Sequence, residues 1–284
     1  MHVLVTGASG WIGSHTVDEL LATGHTVTGV ARTDSAATAL TAKGATVLRG
    51  DLDDLDGIRR GAADADAVVH LANKHDWADP AASNRAERAS VQAILDTLTG
   101  SDRPFVFASG LGPATENEPS PHHGPGSHRG GAENLALGTP GAHAIAARFA
   151  PTVHGTGDHG FVSYLFDAAR RSGVSGYVGD GTTAWSAVHV HDAARLIRLA
   201  LEQAPAGTRL HAVAETAVPS RDIAEAIGRF LNVPVEQVEP DHFGFLGRIF
   251  GTNMTATSDL TRSRFGWTPT GPALLDDIAA GAYA

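Results

Sequence analysis

Short apolar, β-branched runs alternate with longer amphipathic stretches along the first part of the chain, at residues 3–5, 27–30, 46–48, 67–71 and 105–107. Strands that are apolar on both faces suit a parallel sheet covered by helices on each side. Right-handed crossovers then set how such strands connect. The pattern therefore predicts an α/β fold built on a doubly wound parallel sheet. A sixth strand is predicted at 144–149. Beyond it the rhythm loosens into a helix at 161–171, glycine-rich turns, a strand at 187–190 where the sheet is expected to end, and helices at 192–203 and 220–231. The segment from 234 onward carries Phe243, Phe245, Phe250, Phe265 and Trp267, enough apolar surface for a smaller C-terminal lobe. Between 110 and 131 lies the longest stretch without periodicity, interrupted by Pro113, Pro119, Pro121 and Pro125. Long loops of this kind in compact domains are usually functional or disordered.

Composition narrows the function classes. The chain has 284 residues, 42% of them hydrophobic and 18% charged, with a net charge of −10. An acidic chain lacks the diffuse attraction to phosphate backbones that nonspecific nucleic-acid binding requires. Nucleic acid and anionic membranes are not expected as partners, and the oligomeric state is left open. Met1-His2 leads straight into a strand without a basic leader or long apolar run, so a soluble, cytoplasmic protein is expected. There is no cysteine, which removes disulfides and thiolate chemistry. His122, His123, His128, His189 and His191 stand at no recognisable ligand spacing, so no metal is expected.

The first strand runs into Thr6-Gly7-Ala8-Ser9-Gly10-Trp11-Ile12-Gly13, followed by a helix to about Thr23 with Gly24 as its stop. Gly7 permits the tight strand-to-helix turn, Gly10 lets backbone amides approach a pyrophosphate, and Gly13 allows close helix–sheet packing. The helix N-terminus would then face the phosphates. At the end of the second strand, where a carboxylate would hold the ribose 2′-hydroxyl of NAD, the chain reads Ala31-Arg32-Thr33. Arg32 suits a 2′-phosphate, which favours NADPH; the competing reading leaves Arg32 to solvent and gives the ribose to Asp34. Asp51, with Leu52 beside it, is placed to meet the adenine edge, or to cap a helix starting at Leu52. The resulting division is a dinucleotide-binding domain at 1–155, completed by about 185–213, and a substrate lobe at 156–184 and 214–284.

These motifs resemble the extended branch of the short-chain dehydrogenase/reductase superfamily, whose members begin TGxxGxxG and bind NAD(P)(H). Val68-Val69-His70-Leu71-Ala72, Phe105-Val106-Phe107-Ala108-Ser109, Arg148-Phe149-Ala150-Pro151-Thr152-Val153-His154-Gly155, Val188-His189-Val190-His191-Asp192 and the terminal Phe265-Gly266-Trp267-Thr268-Pro269 carry the likeness over most of the chain. It implies cofactor contacts at Ser9, Trp11, Ile12, Leu71, Ala72 and Asn73, with Pro151 and Val153 beside the nicotinamide. The family's catalytic Tyr-x-x-x-Lys is absent: at its expected place stands Arg129-Gly130-Gly131-Ala132-Glu133. None of Tyr164, Tyr177 and Tyr283 has a lysine four residues on. Arg129 can hydrogen-bond a developing alkoxide, but a guanidinium does not give up its proton in proteins, which makes it a poor proton donor. Glu133 is expected to pair with Arg129 across one helical turn. His128 is of the residue type best suited to proton transfer, but it lies about 100° round the helix from Arg129. Ser109, or Gly110 if the register slips by one, falls near the family's catalytic Ser/Thr.

Loss of the acid does not exclude an enzyme. General acid catalysis contributes about 10²- to 10⁴-fold, whereas oriented donor and acceptor supply effective molarities of roughly 10⁵ to 10⁸ M. A reductase can take its proton from water, a histidine or a phenol on the substrate, which favours aromatic substrates. The whole pattern is similar to that of ketoreductases tailoring angucycline-type aromatic polyketides in antibiotic biosynthesis, with Ser109, Arg129 and His128 as candidate catalytic groups. Trp77, Phe161 and Trp185 flank the expected pocket, each as core or as a flat surface for a ligand. A cofactor-binding regulator without catalysis, and a sugar-nucleotide epimerase or dehydratase, are the competing readings.

Overall fold

The computed structural model describes residues 1–112 and 114–284. Its first half is a run of βα units: β1 (His2–Thr6), α1 (Trp11–Ala22), β2 (Thr26–Ala31), α2 (Asp34–Ala42), β3 (Thr46–Arg49), α3 (Leu55–Ala63), β4 (Ala67–His70), α4 (Pro80–Leu98), β5 (Pro104–Gly110), α5 (Gly130–Leu137) and β6 (His143–Phe149). Next come β7 (Thr152–His154), α6 (Phe161–Ser172), β8 (Ser175–Val178), β9 (Ala184–His189), α7 (Val190–Gln203), β10 (Arg209–Ala212), β11 (Glu215–Pro219), α8 (Ser220–Leu231) and β12 (Val235–Val238). A 3₁₀ segment (Pro240–Leu246), α9 (Gly247–Phe250), α10 (Asp259–Phe265) and α11 (Leu274–Ala279) complete the chain.

Seven parallel strands form the central sheet in the order β10-β6-β5-β4-β1-β2-β3. Val3, Leu4 and Val5 of the central strand are wholly buried, as a strand covered on both faces requires. One apolar layer joins the sheet to α1 and α7, with Val17, Leu20, Leu196 and Ile197. The other joins it to α3, α4 and α5, with Ile58, Ile94, Phe105 and Phe107. Gly24, at φ +87°, ends the first helical excursion as the sequence suggested.

The expected end of the sheet is corrected. The strand near 187–190 is β9, which pairs with β7 and β11 in a separate three-stranded sheet. The seventh strand is β10, hydrogen-bonded to β6 from Arg209↔Ala146 to Ala212↔Phe149. The lobe has its own core, in which Phe166, Trp185, Ile223, Phe250, Leu274 and Ile278 pack together. The terminal Trp267 folds back to donate from Nε1 to the Asp192 carbonyl at 3.0 Å, while the Asp192 carboxylate accepts from the amides of Thr270 and Gly271. Those two late motifs serve to lock the lobe onto α7.

Candidate functional site

The glycine turn separates structural demands from ligand demands. A Cβ on Gly13 would lie 2.0 Å from the Gly7 carbonyl oxygen, and one on Gly7 would lie 2.7 Å from the Ala72 amide. Both glycines are required by the protein's own packing. At Gly10 a Cβ would meet only the Gly7 oxygen, at 3.2 Å, with nothing else within reach. Gly10 caps α1 with no side-chain hydrogen bond, and no acidic residue occupies the first turn. The first amides of the helix thus have no side-chain partner, and the space at Gly10 is open, which fits a pyrophosphate. Ser9 is exposed, Ile12 half-buried, and the Trp11 indole donates to the Val153 carbonyl at 2.7 Å, tying the cofactor turn to β7. Leu71, Ala72 and Asn73 are half-buried beside Gly7, and Pro151 stands at the end of β6.

At the end of β2, Arg32 is exposed and makes no hydrogen bond or ion pair among the described residues. Asp34, the competing ribose acceptor, is held by Arg49 at 2.6 Å. Thr33 caps α2 by accepting from the Ala36 amide at 3.2 Å. Asp51 does not cap a helix at Leu52: its Oδ1 closes a turn by accepting from the amides of Asp53 and Asp54, and Asp54 caps α3 through the Gly57 amide at 2.9 Å. Leu52 is at the edge of burial beneath that turn.

The segment after β5 rearranges the expected chemistry. Arg129 does not pair with Glu133. Its Nε and one terminal nitrogen donate to Glu87 Oε1 of α4 at 3.1 and 2.9 Å, and Glu87 is buried. Glu133 turns inward to Arg148 on β6, at 3.0 and 2.5 Å, and also accepts from Arg209 at 3.3 Å. With Ser109, four donors satisfy this buried carboxylate, so Glu133 needs no bond from Arg129. Ser109 is also redirected. It is 1% exposed, and its hydroxyl donates to Glu133 Oε2 at 2.8 Å, so its proton belongs to this internal network. His128 is exposed and lies edge-on to His122, with ring centres 4.8 Å apart, turned from Arg129. Ser109 thus stands at the C-terminal end of β5 with its hydroxyl committed to Glu133, while Arg129 stands at the N-terminus of α5 paired with Glu87.

Glu87 escaped the sequence reading although a signal was present. It lies on the buried stripe of α4 with Ser83, Val91, Ile94 and Leu98. A charge on an apolar stripe demands a buried partner. Also missed were His70, wholly buried with Nδ1 2.8 Å from the Thr6 hydroxyl and its pKa pushed down to about 3 by desolvation and then by Arg129, and the pair formed by His154 Nδ1 and Asp277 Oδ2 at 2.6 Å. His154 is kept below the usual imidazole range, first by burial, against the pull of Asp277. Among the described residues no cluster of three or more histidine and carboxylate side chains is arranged to hold a metal, and no helix is long and apolar enough to cross a membrane.

The long loop is stapled down. Arg148 donates to the carbonyls of Thr115 and Glu118, both at 2.8 Å, and Asn134 donates to those of Ser120 and His122 at 2.8 and 2.7 Å. Glu116 accepts from the Leu260 and Thr261 amides at the start of α10. Pro113 lies outside the described residues. Trp77, Phe161 and Trp185 do form a continuous chain of rings, with centres 5.9 and 5.7 Å apart; Trp185 is core, whereas Trp77 is 45% exposed and stacks on Phe245 of the lobe.

Comparison with known proteins agrees with this architecture. The model of the NAD dependent epimerase/dehydratase family matches residues 3–127. An uncharacterized protein of Schizosaccharomyces pombe is 39% identical over 296 residues, covering 100% of both chains. A 4-hydroxy-2-methyl-3-oxo-4-farnesyl-3,4-dihydroquinoline-1-oxide ketoreductase of Stigmatella aurantiaca is 27% identical over 222 residues, covering 73% of this chain and 66% of its own. Among solved structures, a dTDP-glucose 4,6-dehydratase from Bacillus anthracis in complex with NAD is similar with a TM-score of 0.75 and 16% identity, over 99% of this chain and 95% of that one.

Proposed function

This chain belongs to the NAD dependent epimerase/dehydratase family, and we propose that within it the protein is an NADPH-dependent ketoreductase that reduces a carbonyl on a planar aromatic substrate of the polyketide kind. The observation that carries the reading is Arg129, a cation fixed by buried Glu87 where the family's acid is expected. Epimerases and dehydratases of this type return protons through the tyrosine. A guanidinium cannot do so. It can hold a carbonyl oxygen and stabilise charge as it grows there, which a reductase needs. The named activity of the Stigmatella relative supports the same reaction class.

When bound, the nicotinamide supplies the hydride. The α1 amides behind Gly10 would hold the pyrophosphate, Arg32 the 2′-phosphate, and Pro151 before β7 with Val153 in it the nicotinamide side. Arg129 orients the substrate oxygen, and water or a substrate phenol gives it the proton. Partners of this kind are small aromatic molecules.

The test has two parts. NADPH should bind at least about tenfold more tightly than NADH, and Arg32→Ala should erase that difference, since one ion pair to the 2′-phosphate accounts for about 1.4 kcal/mol or more. NADPH should be consumed with a panel of hydroxylated aromatic ketones. Tight cofactor binding with no ketone reduced would instead identify a cofactor-binding regulator.

A further inference from the structure

β4 and β5 are neighbours in the central sheet, so the chain leaving β4 runs beside the end of β5 where Arg129 stands. That exit carries His75 and Trp77. His75 adopts a left-handed backbone, φ +49°, held by its amide donating to Asn73 Oδ1 at 2.8 Å. A non-glycine residue kept in that region stores strain, and such strain gathers at ligand sites. The His75 ring lies 6.2 Å from the Trp77 ring.

Trp77 also belongs to a group of exposed aromatic side chains. Of the five large hydrophobic side chains exposed among the described residues, Trp77, Tyr164 and Phe245 belong to one group, each between 43% and 45% exposed. Trp77 and Phe245 stack with centres 5.4 Å apart and planes 23° from parallel, so one ring from the sheet domain packs on one from the lobe. Tyr164 meets Phe245 edge-on at 5.3 Å. Three adjoining rings offer a flat apolar surface that suits one planar molecule.

Arg129 supplies the polar end. Glu87 takes Nε and one terminal nitrogen, and the other terminal nitrogen has no hydrogen-bond partner among the described residues. The anchored fork is thus preset with donors unused. We propose that Arg129 and the Trp77–Phe245 stack together form a binding site for a planar aromatic oxyanion, a phenolate or an enolate, laid against the rings with its oxygen on the guanidinium. The inference rests on the reductase reading and names the form of substrate that this surface accepts.

Glu87 faces Arg129 from α4 and offsets part of its field. His70 from β4 and His75 from the β4 exit are both kept below the usual imidazole range, by desolvation first and then by Arg129, so neither competes as a cation at neutral pH. His159 also acts on His75 from the turn before α6. A planar phenolate or enolate needs hydrogen-bond donors for its oxygen and a flat surface for its ring. The carbonyl reduced elsewhere on the same molecule then takes its proton from water.

2-Naphthol, whose absorbance distinguishes naphthol from naphtholate, tests the site without cofactor. Bound to the wild type it should ionise at least about one pH unit lower than in water, a tenfold preference for the anion. Trp77→Ala should weaken naphtholate binding about tenfold, as loss of one aromatic partner implies. Glu87→Gln combined with Arg129→Gln, which removes the pair without leaving a buried charge, should abolish the ionisation shift while binding of neutral naphthol persists. No shift in the wild type, or equal binding by Trp77→Ala, overturns the proposal. NADPH consumed with aromatic ketones but no naphtholate shift sinks this inference alone; the shift without consumption sinks the reductase reading alone.

Discussion

Glu133 on α5 and Arg148 on β6 form a two-point ion pair with side chains 0% and 2% exposed. The pair joins the sheet to the long loop, because Arg148 spends its remaining donors on the Thr115 and Glu118 carbonyls. Removing one member of a buried pair leaves the other uncompensated and costs about 3–5 kcal/mol. Glu133→Ala should therefore lower the urea-unfolding free energy by that amount. A loss below about 1 kcal/mol, the usual effect of a surface pair, would show that the network is solvated.

Gly10 and Gly13 are expected to fail differently. Alanine at Gly13 would press its methyl to 2.0 Å from the Gly7 carbonyl, so Gly13→Ala should disrupt the fold, measured as a lowered melting temperature and poor soluble yield. Gly10→Ala meets only one atom at 3.2 Å and should fold normally. Its methyl would stand in front of the α1 amides, and cofactor affinity should fall about tenfold or more. Unchanged affinity in Gly10→Ala would remove the pyrophosphate from this turn.

The tyrosines separate into stability and neither catalysis nor binding of the proton. Tyr283 donates to Asp158 Oδ2 at 2.8 Å inside the lobe, and burial raises the Asp158 carboxyl above its ordinary range. Tyr283→Phe leaves that oxygen without its donor and should destabilise by about 1–3 kcal/mol without a specific loss of turnover. Tyr164→Phe keeps the exposed ring and should leave kcat within about twofold of wild type, far from the 10²-fold or greater effect of losing an acid.

His70 links stability to pH. Its folded pKa is near 3, below the usual 6.5, through burial and then Arg129. The neutral form is favoured in the folded state, so this contribution is fully present above pH 6.5 and is lost as pH falls toward 3. His70→Asn should flatten the acid limb of the stability curve by up to about 1.4 kcal/mol per pH unit, one proton's worth, between pH 6 and pH 4. Parallel acid limbs for the two proteins would show that His70 does not titrate on unfolding.

What the sequence alone determined is local. Apolar runs place β1 to β6, the glycine spacing places the turn before α1, and Arg32 with no neighbouring carboxylate marks the end of β2, because each feature depends on residues close in the chain. The missing tyrosine was equally legible. Tertiary structure decided the pairing of charges. Arg129 and Glu133 stand one turn apart, yet Arg129 binds Glu87 at a separation of 42 residues and Glu133 binds Arg148 at 15. Helix spacing sets which side chains are within reach of each other, but the cost of leaving a buried carboxylate unpaired decides which partner it takes. β10 likewise finds its place beside β6 only when the sheet assembles, and Trp77 meets Phe245 only where the lobe closes over the sheet edge.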